Sequence, residues 1–139
     1  MFINDFSAAA AAAVNNHDVE EILALWREPA SYDSPMTGPQ QGLAALAERE
    51  AALFAGFSDL SATLQPLGQE QSTGAALVRF TGTHDGWYAG MAPTGNTISL
   101  EMVAVITFDD DGRVVGERVF IDSAAVVAQL SGTVAPDAA

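Results

Sequence analysis

Two spacings of apolar residues divide the chain. Up to about residue 56 they fall at the three-to-four-residue intervals of helix faces, and beyond it they crowd into runs of strand length. Phe2, Ile3 and Phe6 followed by an alanine run predict a first helix that Asn15 and Asn16 interrupt. Asn16 is then placed to cap a second helix, HDVEEILALW, with Asp18, Glu20 and Glu21 near its positive end. Ile22, Leu25 and Trp26 form its inward face, and Pro29 stops it. A short extended piece, ASYDSP, leads into a polar loop through Gly38, Pro39 and Gly42. Leu43 to Phe54 reads as a third, amphipathic helix burying Leu43, Leu46, Ala47, Leu53 and Phe54, with Gly56 as its stop.

The second half predicts strands: DLSATLQPLGQEQ with its turn, GAALVRFTGTHDG, ISLEMVAVITF and RVVGERVFI, the last two joined by a DDDG hairpin. Ser123 to Leu130 reads as a short terminal helix, and residues 132–139 as a flexible tail. Helices first and strands afterwards, without strict alternation, predict one α+β domain over 1–139, its three helices packed on one face of a curved, mainly antiparallel sheet. Leu100, Met102, Ala104 and Ile106 lie on one face of the third strand, and Val103 and Val105 on the other. An antiparallel sheet with one wet face would alternate more cleanly, so the second face is expected to be covered by another copy of the chain.

Composition narrows the partners. Five basic residues against eighteen acidic ones give a net charge of −13. That field repels nucleic-acid phosphates and anionic membrane surfaces, so neither is expected as a partner. There is no cysteine, hence no disulfide, thiolate metal site or cysteine nucleophile. The apolar patch Ala8 to Val14 is too short to span a membrane, and Asp5 stands where a secretory signal would carry positive charge. The expected location is cytoplasmic.

Several residues are candidates for chemistry. Asp122 follows the apolar run of the last strand, where burial would raise its pKa and make it a general acid or base; it is equally well placed to cap the terminal helix. Arg118 shares a side-chain face with Phe120 and Asp122 by the period-two rule, and either binds an anionic group or neutralises an acid. Glu101, inside an apolar strand, faces a cavity, pairs with Arg79 or Arg118, or lies near the strand's exposed end. His84 is a proton shuttle or a satisfied strand-end histidine, and it and Asp85, being adjacent, point apart. Tyr32, Trp87, Tyr88 and Met102 are candidates for lining an apolar pocket. The histidines, His17 and His84, make no zinc signature, and Asp109 to Asp111 lack the spacing of a calcium loop; no metal is expected.

Taken in order, HD, YDSP with Gly42 after it, FSDL, GTHDG, PTG, DGRV and FIDSAAVVAQLSG resemble the SnoaL-like polyketide cyclases of the nuclear transport factor 2 superfamily. The resemblance runs from about Asn16 to Gly132. It implies a cone: a strongly bent sheet wrapped around the helices, with a deep apolar cavity, and a homodimer through the sheet. It also implies an aspartate acid/base for intramolecular aldol condensation, and Asp122 matches that position. Where relatives carry E-H-W, this chain has Glu117, Arg118 and Val119, and FPDL is FSDL. The expected function is therefore a cofactor-independent cyclase or isomerase acting on a small apolar carbonyl compound. His84, Arg118 and Tyr88 would orient substrate or hold an oxyanion, with Trp87, Met102, Glu101, Phe120 and Tyr32 at the substrate. The alternative is a non-catalytic binder of a lipophilic ligand or a dimerisation module.

Overall fold

The structure, a computed structural model, describes residues 1–133. Most of the tail expected over 132–139 therefore lies outside the described residues. Helix α1 (Phe2–Asn15) presents Ile3, Ser7, Ala10 and Val14 along one buried face. Its far end is clasped to the sheet: the Asn15 side chain donates to the Ala62 carbonyl at 3.1 Å and accepts from the Ala62 amide at 2.7 Å. A short helix α2 (Val19–Leu23) follows, and its cap is Asp18, which accepts the Glu21 amide at 3.0 Å. The expected second helix is corrected here in two respects. Asn16 closes α1 instead of capping α2, and the helix ends at Leu23. Trp26 belongs to strand β1 (Trp26–Asp33), where it pairs with Val114 and is buried.

Strand β2 (Gln40–Gln41) is brief, and helix α3 (Leu43–Gly56) buries Leu46, Glu50, Leu53 and Gly56. Strands β3 (Ser61–Glu70), β4 (Thr73–Thr83), β5 (Thr97–Phe108) and β6 (Val114–Phe120) follow, then helix α4 (Ser123–Ser131). The six strands form one sheet in the order β2-β1-β6-β5-β4-β3, antiparallel except for the β1–β6 pair. The expected hairpin joins β5 to β6: Asp109 Oδ1 accepts amides of Asp111 and Arg113, and Gly112 takes the positive φ of 84° that the turn needs.

Strand alternation sets what faces the helices. On β5, Leu100, Met102, Ala104, Ile106 and Phe108 are buried, while Glu101 and Thr107 are exposed and Val103 and Val105 half-buried. In register with them on β6, Val119 opposite Ala104 and Glu117 opposite Ile106 point to the same inner side. Among the described residues no helix is long and apolar enough to cross a membrane.

The loop from β4 to β5 returns against the end of α3. The amides of Asp85 and Gly86 both donate to the Gly56 carbonyl at 3.1 Å, and Asp85 accepts from Ser58. A Cβ on Gly86 would lie 1.9 Å from the Ala55 carbonyl oxygen. Gly86→Ala is therefore expected to lower unfolding stability by about 2–3 kcal/mol, as overpacking against fixed backbone does; urea denaturation measures it.

Candidate active site

Helix α3 carries an arginine and a glutamate side by side into the interior. Glu50 falls on the stripe of Leu46 and Leu53, at the helical spacings of four and three, and is buried with them. Arg49 forms an ion pair with Glu50 and lies over the Tyr32 ring, its guanidinium carbon 3.8 Å from the centroid. Tyr32 on β1 is the register partner of Glu117 on β6. Arg49, Glu50, Tyr32 and Glu117 thus meet inside the cone from three separate elements.

Two chambers adjoin this cluster. The outer one, of about 70 Å³, is rimmed by Met36, Thr37, Tyr88 and Ile121, with Tyr32 and Phe57 in its wall. The inner one, of about 60 Å³, lies under α1 and α2 and has Glu50 and Glu117 in its wall. Arg49, Phe80, Met102 and Val119 border both, so they form a waist between the chambers. Glu117 retains some accessible surface, and that surface opens into the inner chamber.

The electrostatics follow from one cation facing two acids. Burial pushes the Glu117 carboxyl up to about 7; Arg49 pulls it down and Glu50 raises it again. Burial works to lower the Arg49 pKa, but Glu50, Tyr32 and Glu117 outweigh it and leave the guanidinium more firmly charged than usual. The Tyr32 and Tyr88 hydroxyls are held above the ordinary tyrosine range by burial, partly offset by Arg49. Among the described residues no group of three or more His, Asp or Glu side chains is gathered as a metal would require. The arrangement can instead take a proton from carbon at Glu117 and hold developing negative charge at Arg49.

The residues singled out from the sequence separate into groups. Tyr32, Tyr88 and Met102 line the outer chamber. Glu101, Phe120 and Asp122 come together around a shallow depression on the opposite, outer side of the sheet, and Met102 borders it too. Arg118 lies over the Phe120 ring, its guanidinium carbon 4.9 Å from the centroid, so Arg118 and Phe120 share the outer face as the period-two rule expects. Glu101 pairs with Arg79, its neighbour across the β4–β5 ladder. Asp122 is exposed and caps α4, accepting the Ala125 amide at 3.1 Å. The burial expected of this carboxylate is absent, because β6 ends at Phe120 and the chain turns outward into the helix.

His84 is fully buried beside Phe57, its Nδ1 lying 3.0 Å from the Thr94 hydroxyl and 3.3 Å from the Thr94 amide nitrogen. Its Nε2 has no protein partner, and His84 lines neither chamber. Trp87 is 68% exposed at the tip of the loop that carries Tyr88. Sequence reasoning did not single out Arg49, Glu50 or Glu117 as site residues. A signal existed for two of them: an acid on the apolar stripe of α3, and an acid two residues from Val119 on the inward face of β6.

Comparisons with known proteins identify the family and the fold. The model of the SnoaL-like polyketide cyclase family matches residues 4–130. No curated protein matches the sequence. A candidate SnoaL-like polyketide cyclase from Jannaschia sp. CCS1 superposes with a TM-score of 0.82 at 21% identity, over 94% of this chain and 92% of that one. IdmH from Streptomyces antibioticus, a candidate polyketide cyclase, gives 0.76 at 25% identity over 93% and 98%. SalBIII, an epoxide hydrolase/cyclase-like enzyme of pyran ring formation in salinomycin, gives 0.74 at 20% identity over 88% and 92%. The fold they share is the cone of the nuclear transport factor 2 superfamily.

Carboxyl-carbon NMR is expected to show Glu117 titrating near pH 7. Its folded pKa lies above the unfolded value, so the folded state binds the extra proton and stability falls as pH rises from about 4.5 to 7. Glu117→Gln should therefore raise the melting temperature at pH 8 by several degrees and change it little at pH 4, as calorimetry at the two pH values would show.

Proposed function

Since the chain belongs to the SnoaL-like polyketide cyclase family, we propose that it is a cofactor-independent enzyme whose general base is Glu117 and whose enolate-holding cation is Arg49. The observation that carries this reading is a carboxyl at the wall of an apolar chamber, pushed up to about 7, beside a buried guanidinium. A base works best when its pKa lies near the working pH, and Glu117 meets that condition.

The substrate is a small apolar carbonyl compound. Its oxygen sits at the waist on Arg49, and its α-carbon lies on the inner side against Glu117. The carboxylate takes the α-proton, the C–H pair becomes the enolate double bond, and the carbonyl π pair moves to the oxygen beside Arg49. In a cyclisation the α-carbon then attacks a second carbonyl of the same molecule, forming the carbon–carbon bond, and the new alkoxide takes back the proton held by Glu117. In an isomerisation Glu117 returns its proton to another carbon. Tyr32 and Tyr88, both kept protonated, supply hydroxyl donors along the outer wall.

The aspartate singled out by the family resemblance gives the direct comparison. In D₂O, an aryl alkyl ketone should exchange its α-hydrogens for deuterium in the presence of the protein, read by proton NMR. Glu117→Gln is expected to slow exchange by about 10²–10⁴-fold. Asp122→Asn, which preserves the helix cap, is expected to retain it. Loss of exchange in Asp122→Asn with retention in Glu117→Gln would transfer the acid/base role to Asp122. Ketone binding without exchange in any form would identify a ligand carrier.

We also infer that a second copy of the chain covers the outer sheet face. Leu77, Val103 and Val105 are half-buried there, and Phe120 is 50% exposed. Sedimentation equilibrium should give a dimer for the wild type and a monomer for Val103→Glu/Phe120→Asp. An unchanged mass in the double variant would move the interface elsewhere.

A further inference from the structure

The inner chamber has no part in proton transfer beyond the carboxylates at its edge, yet it extends well past them. Apart from Arg49, Glu50 and Glu117 its wall is apolar, with Trp26, Leu64 and Val78 on its sides and the small residues Ala10 and Ala104 bounding it. Its volume of about 60 Å³ holds roughly four water- or methylene-sized groups, at ~10–15 Å³ of such volume each. Away from the three charged side chains the space is poorly suited to water, which needs two to four polar partners at each position. It shares Arg49, Phe80, Met102 and Val119 with the outer chamber, and one of these, Met102, is unbranched and repacks readily.

From this geometry we infer that the inner chamber is a specificity subsite for a short linear alkyl group on the α-carbon side of the substrate carbonyl, with Ala10, Leu64 and Ala104 setting the chain length it accepts. The inference rests on the reading of Arg49 and Glu117 given above. With the carbonyl oxygen at the waist, the larger part of the substrate lies in the outer chamber towards Tyr32 and Tyr88. The α-carbon points inward at Glu117, and the chain beyond it has only the inner chamber to fill. Ala10 comes from α1 and Ala104 from β5, so two distant segments bound one pocket. Leu64 on β3 reaches the same wall, and a smaller residue there would deepen it.

The test is calorimetric titration with a homologous series of phenyl ketones from acetophenone to octanophenone, with the NMR exchange assay on the same compounds. In the wild type, affinity should rise by about threefold to fourfold per added carbon, the value of a buried methylene. The rise should stop near valerophenone, which has four carbons beyond the carbonyl, and reverse in longer ketones. Ala104→Leu should move the optimum to a shorter chain and Leu64→Ala to a longer one. General destabilisation cannot produce opposite shifts, so thermal melts of both variants complete the comparison.

Affinity independent of chain length overturns the subsite. So does a rise that continues to octanophenone, which is partition onto apolar surface, or an optimum that neither variant moves. Absence of ketone binding overturns it as well. An optimum that shifts in both variants while α-exchange is absent upholds the subsite and removes Glu117 as base. Exchange without a length optimum does the reverse.

Discussion

One guanidinium inside the cone faces two carboxylates, and it can neutralise only one. Glu50, its neighbour on α3, makes the ion pair. Glu117 approaches from β6 and is left as the surplus acid, in a site where an unpaired charge is costly. The result is a carboxyl that keeps its proton up to about 7. Such a cluster is weak evidence of stabilisation, because buried ion pairs are often no more stable than the hydrocarbon that could replace them. What the misfit charge balance offers is the proposed role of the cluster, proton transfer near neutral pH.

The architecture holds that imbalance in place from three directions. α3 delivers Arg49 and Glu50 on its inward stripe, β1 supplies the Tyr32 face beneath the guanidinium, and β6 sets Glu117 in register with Tyr32. The β4–β5 loop closes the outer chamber from the remaining side. Tyr88 is seated so near Gly56 that a Cβ there would come within 2.8 Å of the tyrosine Cβ. The absence of a side chain at Gly56 therefore fixes the outer wall, and the same glycine's carbonyl anchors the loop through two amides. Helix end, loop and cavity wall are one packing problem.

The fold was legible because its signals are periodic. The alanine run, the α3 stripe and the two long strands each announced their element, and their order gave α+β. The misreading at Asn16 to Trp26 has a local cause. Asn16 and Asp18 are both good caps, and HDVEEILALW continues a helical pattern past the point where Trp26 gains more by pairing with Val114 in the sheet. The site was less legible, for a physical reason. Asp122 and Glu101 drew attention because acids near apolar runs are unusual, but which face of a strand they occupy is decided by partners distant in sequence. Arg79, opposite Glu101 in the ladder, takes that acid to the outer face, and the turn into α4 takes Asp122 to solvent. Glu117 sits on the other parity of β6 from Arg118, and Val119 is the buried residue that marks its side.

Charge argues further about what can enter. The chain has five arginines and no lysine against eighteen acids. Arg27 is held by Asp109 and Asp111 at the hairpin, and Arg79 and Arg118 lie on the outer sheet face. Arg49 is the cation at the chambers, and it is already paired with Glu50. A substrate carrying its own carboxylate would meet a repulsive field on approach and, inside, two acids sharing one guanidinium. A neutral ketone meets neither obstacle. In the proposed reaction its negative charge appears only after Glu117 has removed the proton, at the oxygen nearest Arg49. The total charge of the cluster and substrate is then the same before and after the transfer, and the interior that disfavours an added anion has no additional one to accommodate. The same excess of acid that shuts out charged ligands thus leaves room for an anion that is made in place.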